Sequence, residues 1–448
     1  MTTARPRRSS VFTGLLLILL GTLFLIHHLH PGLGIGHLVA RYWPILLIVW
    51  GVAKLIDYQA ADRTGEGRPA ILSPMEAALL VLVVLVLTGM SAHEWIQRHE
   101  PGAGVDVSLF SDKATDSEEL PATPIPAGAH VTITNGRGNI TAHAGGNDLR
   151  VSVNETASDS SEEAARDRLK NFEVAIEKKS GGYFVHPKAE DSNVSADLDV
   201  ELPKDVTVTA ASKHGDFSIS GISGSVQASL REGDAEVHDI ASDVTLDVRH
   251  GDIRVSDVKG KLHITGKGNE IDVSDVTGDA TIDGEFFGPI QVRNVSGTTH
   301  FTSQKSDITL ASLGGRLELD SGQIQISGVG GPAKINAREK DIEIEDVAGR
   351  LDIQDTKGNI EVSYLQQPKD DLNISNDTGE VEVTLPPRSN FSISATSRSG
   401  EVRNDFEDSG VHSSDDGGNG RLNGVVGSGR PKITIVTSYG AITLHKSD

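Results

Sequence analysis

Gly251 to Gly268 reads GDIRVSDVKGKLHITGKG, and the 18 residues before it, Gly233 to His250, read GDAEVHDIASDVTLDVRH. An apolar pair, a third apolar residue, a glycine and a second apolar pair fall at matching places in each unit, and the pattern recurs roughly every 18 residues from Gly215 to about Val402. A short fixed period marks a stacked, quasi-one-dimensional fold in which each unit touches only its neighbours.

Aligned on the Gly that usually opens a unit (Asn269, Ser306 and Lys340 replace it in three), the units resolve into columns. The third position holds Phe217, Ala235, Ile253, Ile271, Ile290, Ile308, Ile324 and Ile342, and the fifth holds Ile219, Val237, Val255, Val273, Val292, Leu310, Ile326 and Ile344. The eighth runs from Ile222 and Ile240 through Val258, Val276, Val295, Leu313 and Val329 to Val347. The tenth is Gly in seven of eight units, Ser242 being the exception. Two further apolar columns follow, one with Val226, Val244, Leu262, Leu317 and Leu351, the other with Leu246, Ile264, Ile282, Phe301, Leu319, Ile335 and Ile353. Positions 3 and 5, then 12 and 14, alternate as strands with one face inward. The tenth-position Gly is expected to turn the corner with φ > 0. A unit of two short strands cannot bury its own apolar face; stacking at about 4.8 Å buries the columns and satisfies the backbone in parallel ladders. The spacing predicts an all-β domain, a narrow parallel β-solenoid of about ten turns, on the order of 50 Å long. A β-sandwich of antiparallel hairpins is the rival, but it does not require apolar columns at nearly constant spacing.

The rest of the 448-residue chain is organised around this repeat. Apolar content of 37% and aromatic content of 4% argue against a large aromatic core, and 48 glycines without Gly-X-Y spacing argue against collagen. Net charge is −22 overall; up to Arg98 eight Lys/Arg stand against five Asp/Glu, so the remainder carries about −25. Such a domain repels phosphate backbones, which argues against nucleic acid as a partner. The absence of cysteine excludes disulfides and thiolate metal sites.

Three apolar stretches occupy residues 1–98 and are expected to form membrane helices at about 11–28, 38–57 and 71–90. Trp43, Trp50, Tyr42 and Tyr58 stand near segment ends, where amphipathic rings favour the headgroup region. A signal peptide is the competing reading of the first, but no small-residue cleavage site follows Ile26 and two more apolar segments come next. Arg5, Arg7 and Arg8 precede the first segment, and Lys54, Arg63 and Arg68 lie between the second and third, while the intervening loop has only Arg41. The positive-inside rule then puts the N-terminus and second loop in the cytoplasm and everything after about Ser91 outside. Two crossings instead of three would reverse that side.

Residues 99–129 are rich in Pro, Gly and acid and read as a linker. In 130–214 the alternation at Val131, Ile133, Ile140 and Leu149 to Val153 reads as strands. Ser160 with Glu163 is a capping-box pattern, and Ala165, Leu169 and Phe172 give the following helix one apolar face. That helix is expected to cover an open end of the stack. Residues 215–402 hold the solenoid, and 403–448 a mobile loop (Glu407 to Asn419) and capping strands.

These residues carry two resemblances. GLLLILLGTLFLIHHL with the later YWPILLIVWGVAKLI resembles the LiaI/LiaF-like transmembrane region of bacterial envelope-stress proteins. The G-[DN]-I-x-V units, the strand-helix-strand lead-in and the closing PKITIVTSYGAITL resemble the bacterial "putative adhesin" β-strand-repeat family, a domain of unknown function, over roughly 125–448. The resemblance implies an envelope location and reads the closing segment as a terminal hairpin-like cap; it implies no chemistry.

Candidate sites are weaker than the architecture. Asp216, Asp234, Asp252, Glu270, Asp307 and Asp341 recur at the second position and would form a column able to hold Ca²⁺, yet Asp and Asn also favour turns, and Pro289 and Gln323 interrupt the run. His27, His28, His30 and His37 cluster beside the first apolar segment, without a carboxylate in that loop. Asp234, Asp252 and His250 could neighbour one another as in polysaccharide-cleaving β-helices, but no long loop walls a cleft. GSGR lacks the end of a P-loop. Asn139, Asn154, Asn193, Asn294 and Asn373 fall in Asn-X-Ser/Thr triplets and read as turn and surface residues. No catalytic, cofactor or metal residue is assigned. The reading is a non-enzymatic protein of the bacterial inner (cytoplasmic) membrane, multi-pass, partnered by the lipid bilayer and by an envelope protein or glycan. A self-assembling surface filament and a polysaccharide-cleaving enzyme are the alternatives.

Overall fold

The computed structural model describes residues 111–407 and 410–447. The three expected membrane helices and residues 99–110 of the expected linker lie outside the described residues, among which no helix is long and apolar enough to cross a membrane. The rest of the expected linker is not a plain connector: it contains the strands Asp112–Glu119 and Thr123–Pro124, the second paired antiparallel with Asp148–Asp159. The chain divides into two compact units, one made of Asp116–Glu155 and Phe172–Asp448, the other including Thr156–Asn171.

In the repeat unit each turn gives one strand to each of two sheets. The first sheet runs in space through Val194–Leu202, Ile140–Ala144, Phe217–Ser220, Ala235–Ile240, Ile253–Val258, Ile271–Val276 and Ile290–Val295, all parallel. The second runs through Gly182–Pro187, His130–Asn135, Thr207–His214, Val226–Glu232, Val244–Val248, Leu262–Gly268, Ala280–Phe286 and Thr299–Thr302, also parallel. The apolar columns are the ladder registers: Ile253↔Ile271 and Val255↔Val273 in the first sheet, Leu246↔Ile264↔Ile282 in the second. These side chains are 0–2% exposed and form one continuous core between the sheets. The ladder extends upstream of Gly215, since Phe217 pairs with Ile140 and Val226 with Val208.

The corners differ from expectation in one respect. The left-handed residues are the seventh-position ones, Asp239, Asp257, Asp275, Asn294 and Asp346 at φ 53–58°, with Gly221 and Gly328 in the same place. Asp and Asn are the non-glycine residues that accept this conformation most readily. The tenth-position glycines are required for a different reason: a Cβ on Gly224 or Gly278 would collide with the carbonyl oxygen of the turn beneath, Val206 or Gly260.

The uninterrupted parallel stack fails at a single unit. Ser306–Leu310 pairs antiparallel with Thr299–Thr302 in the second sheet, and Leu313–Leu319 pairs antiparallel with Ile290–Val295 in the first. This unit therefore runs backwards: Ile308 stacks on Phe301 instead of Ile290, and Leu317 and Leu319 face the first sheet instead of the second. A second hairpin, in which the Asp320 N–H donates to the Gln323 carbonyl (2.9 Å), restores the original direction. The reversed unit is one of the three that open without Gly, on Ser306; the units opened by Asn269 and Lys340 run forward. In regular units the opening Gly sits at φ +133° to +145° (Gly215, Gly233, Gly251), with its Cα against the carbonyl of the previous turn. At Ser306 the chain instead closes a hairpin in which the Ser303 N–H donates to the Ser306 carbonyl (2.8 Å). Asn269 also replaces the Gly without reversal, because Gly268 makes the close approach in its stead, its would-be Cβ 2.7 Å from the Gly251 carbonyl oxygen.

Both ends are interleaved. His130–Asn135 lies between Gly182–Pro187 and Thr207–His214, and Ile140–Ala144 between Val194–Leu202 and Phe217–Ser220. At the other end Lys432–Tyr439 lies between Leu372–Thr378 and Phe391–Ser399, and Ile442–Lys446 between Val381–Leu385 and Val402–Asn404. The closing segment is thus an inner turn, paired along both edges, and not the outer cap its position in the chain suggests. The expected mobile loop contains a strand, Val411–Asp416, paired antiparallel with Asn419–Val426, which pairs in turn with Phe391–Ser399.

The helix Glu162–Asn171 buries Ala165 and Leu169, with Glu162 and Glu163 in its first turn and Arg168 and Lys170 in its last, as the helix dipole favours. Its cap is Ser161, whose Oγ accepts the Ala164 N–H at 3.2 Å, one residue later than the sequence pattern indicates.

Candidate functional site: a basic groove on the second sheet

The second-position acids form the expected column, and backbone donors occupy it. The Asp234 N–H donates to Asp216 Oδ1 (2.9 Å), the Asp252 N–H to Asp234 Oδ1 (2.9 Å) and the Glu270 N–H to Asp252 Oδ1 (3.3 Å). Asn139 starts the same ladder and Asp341 resumes it, its Oδ1 accepting the Asn359 N–H at 2.8 Å. Asp307 leaves the column because its unit is reversed, pairing across to Thr302. The eleventh position repeats the device on the other corner, where Asp243 and Asp279 accept from Lys261 and Thr298. No group of three or more His, Cys, Asp or Glu side chains able to hold a metal ion occurs among the described residues. Asp234 and Asp252 are adjacent rungs as expected, but each gives an oxygen to the next rung, and His250 stands exposed with Nδ1 3.3 Å from the Arg231 carbonyl oxygen. The histidine cluster His27, His28, His30 and His37 lies outside the described residues.

A groove of about 520 Å³ opens on the outward face of the second sheet. Its floor includes Thr134, Ser229, Lys213, Arg231 and Arg249, and it is also lined by His186 and Pro187, at the end of the strand Gly182–Pro187, and by Glu190 beyond it. Strand alternation puts the cations there: Ser212, Leu230 and Val248 are buried, so the residues after them point out. Register makes them a column. Lys213 falls between the pairs Leu230↔Ser212 and Glu232↔His214, beside Arg231; Arg249 follows Leu230↔Val248; and Lys267 follows Val248↔Gly266. Lys267 is registered with Glu285, where the basic run ends. Lys213 holds both oxygens of Glu190 at 2.7 Å, and His214 Nδ1 lies 2.9 Å from Glu232. The sequence signal is a Lys or Arg two residues before the opening position of four successive units, in SKHGD, LREGD, VRHGD and GKGNE, a column hidden by the acidic total charge.

The first sheet carries the opposite pattern. Gln325, Glu343, Glu361 and Glu382 occupy registered outward positions, and burial, then Glu382 and Glu343, hold the Glu361 carboxyl above its usual range. Gln325 donates to Glu343 Oε2 (2.8 Å), and His445 Nε2 lies 3.1 Å from Glu382. Near the N-terminal end, burial, then Glu118 and Asp116, push Glu155 up to about 7.

A two-sheeted β-stack of this kind, with one strand per sheet per turn, defines a class of repeat domain that turns the outward residues of each strand to its flanks. The chain belongs to the Toastrack DUF4097 family, which it matches over residues 129–445, and residues 11–55 match the LiaI-LiaF-like transmembrane region. No curated protein matches the sequence. Among solved structures it is similar to a putative cell adhesion protein from Clostridium sporogenes at 12% identity, covering 75% of this chain and 100% of that one with a TM-score of 0.17. A putative adhesin from Bacteroides fragilis is similar at 9% identity, with 75% and 98% covered and a TM-score of 0.18. A putative lipid binding protein from Parabacteroides distasonis is similar at 9% identity, with 75% and 97% covered and a TM-score of 0.17.

Proposed function

We propose that this chain is a non-enzymatic, membrane-anchored protein of the bacterial envelope, held in the cytoplasmic membrane by three helices. Its β-stack lies on the outer side and presents a flank as a binding or scaffold surface for an envelope protein or glycan. The observation that carries the reading is the coupling, in one chain, of a LiaI-LiaF-like transmembrane region at 11–55 to a Toastrack domain at 129–445. The distribution of Lys and Arg among the apolar segments supports the orientation. A stack whose corner carboxylates are engaged by the backbone is a rigid platform, suited to display and spacing. The membrane helices would pass a change in what is bound across the bilayer, a role in envelope-stress sensing. Co-sedimentation of the full-length protein, in detergent, with isolated envelope material tests this. The expected result is retention of the protein on the insoluble fraction with no soluble sugar product released over hours. Release of product, or failure to be retained, contradicts it.

A further inference from the structure

From the groove's geometry we infer that Lys213, Arg231, Arg249 and Lys267 form a binding site for an extended anionic glycan or polyol chain, one carrying carboxylate or phosphodiester charges at intervals along its length. The inference rests on the surface-binding reading above and names its ligand class.

Three observations converge. First, four cations stand on consecutive rungs of one outward column, a span of about 14 Å at the spacing of strands in a sheet. Like charges on adjacent strands destabilise a sheet, so the fold itself gives no reason for the column. Elsewhere on the stack opposite charges meet: Arg293 holds Asp272 at 2.7 Å, and Lys261 lies 3.3 Å from Asp279. Second, Glu190 and Glu232 are already engaged, by Lys213 and His214, and no ion pair involves Arg231, Arg249 or Lys267 among the described residues. Their charge is available to a ligand, against a chain of net charge −22. Third, Lys213, Arg231 and Arg249 line a walled groove that adds the hydroxyls of Thr134 and Ser229, and Lys267 continues the column one rung beyond it.

Those features select a chemistry. Planar guanidinium groups at Arg231 and Arg249 match carboxylate or phosphate oxygens in bidentate fashion. The hydroxyl side chains of Thr134 and Ser229, on the neighbouring outward row, suit the hydroxyls of a sugar or polyol. No Phe, Tyr or Trp lines the groove, whereas single-stranded nucleic acid is held by stacking on aromatic rings. The surrounding acidic surface, including Asp247 and Asp283 on the same outward face, admits a short charged segment and repels a densely charged polymer.

The test uses full-length protein in neutral detergent and fluorescence anisotropy with four labelled probes: poly(glycerol phosphate), polygalacturonate, neutral dextran and an oligodeoxythymidylate. Wild-type protein is expected to bind one or both of the first two and not dextran; a preference between them identifies phosphodiester or carboxylate as the natural charge. Raising salt from about 50 to 200 mM is expected to weaken binding roughly 10- to 100-fold, as three or four ionic contacts require. R231E/R249E is expected to weaken it by at least about tenfold, and K334E/R421E, at exposed cations away from the groove, by less than about twofold. R231Q/R249Q, which removes charge without reversing it, decides the matter if the first variant fails to fold. Binding of neither polyanion by wild type, equal binding of dextran, equal or tighter binding of the oligonucleotide, or equal loss in K334E/R421E overturns the proposal. Retention on envelope material together with no polyanion binding would leave the surface-binding reading standing and remove this ligand class.

Discussion

Gly251→Val is expected to abolish the cooperative unfolding transition of the repeat domain. Gly251 opens a unit at φ +145°, a region closed to β-branched residues, and a Cβ there would overlap the Gly233 carbonyl oxygen and carbon. Both collisions are with backbone of the neighbouring rung, so no rotamer relieves them. Left-handed strain alone costs about 1–3 kcal/mol. Separating the rungs to relieve the overlap also removes ladder hydrogen bonds and opens the core, so the total exceeds roughly 4–5 kcal/mol, the range reached only by severe lesions. Because each unit touches only its neighbours, a broken rung divides the stack in two. Gly322→Val is the control: a Cβ at Gly322 has nothing within 4 Å and its backbone is not left-handed, so its cost should stay within about 0.5 kcal/mol. Thermal melts followed by far-ultraviolet circular dichroism compare the two. Matching melting temperatures would show that the close approach of rungs does not hold the stack together.

Deleting the last 21 residues, from Ser428 onward, is expected to unfold far more than it removes. Were Lys432–Tyr439 an outer cap, its loss would expose one edge of each sheet. It is instead paired on both sides, to Leu372–Thr378 and Phe391–Ser399, while Ile442–Lys446 joins Val381–Leu385 to Val402–Asn404. Its removal separates the outermost turn, with the hairpin Val411–Asp416 and Asn419–Val426, from the rest of the stack. The core side chains Ile433, Ile435, Ile442 and Leu444, all 0% exposed, go with it. Hydrogen exchange should show protection lost from residue 391 to residue 427 and weakened from 372 to 385, with 226–295 unchanged. Persisting protection at Phe391–Ser399 would mean that this turn docks by other contacts.

The apolar columns were legible because burial between two sheets demands an apolar residue at every second strand position, and stacking repeats the demand every turn. The reversal at Ser306–Leu319 was not: the opening Gly is missing at Ser306, but it is missing equally at Asn269 and Lys340, whose units run forward. Strand alternation is the same for either direction of travel, so Ile308 and Leu310 satisfy the pattern while lying in the other sheet. The interleaved ends were invisible for a related reason, since a rung's sequence does not state its place in the stack. The seventh-position Asp and Asn were readable as a column, but the tenth-position Gly, a sharper compositional signal, drew the left-handed assignment that belongs to them. At the site, the acidic column was recognised and its occupant was missed, because backbone N–H donors leave no mark in sequence. The basic column two residues before the opening position of four successive units was masked by net charge, which averages over a surface whose function depends on local sign.

The β-stack is proposed to stand outside the cytoplasmic membrane on a helical anchor, and cysteine labelling measures this directly. The chain has no cysteine, so single substitutions report without background. Ser223→Cys, at an exposed corner of the stack, and Gln59→Cys, between the second and third apolar segments, are treated in spheroplasts with a membrane-impermeant maleimide. Labelling at position 223 before permeabilisation, and at position 59 only after it, is the expected result. The reverse pattern would place the groove in the cytoplasm and contradict the account.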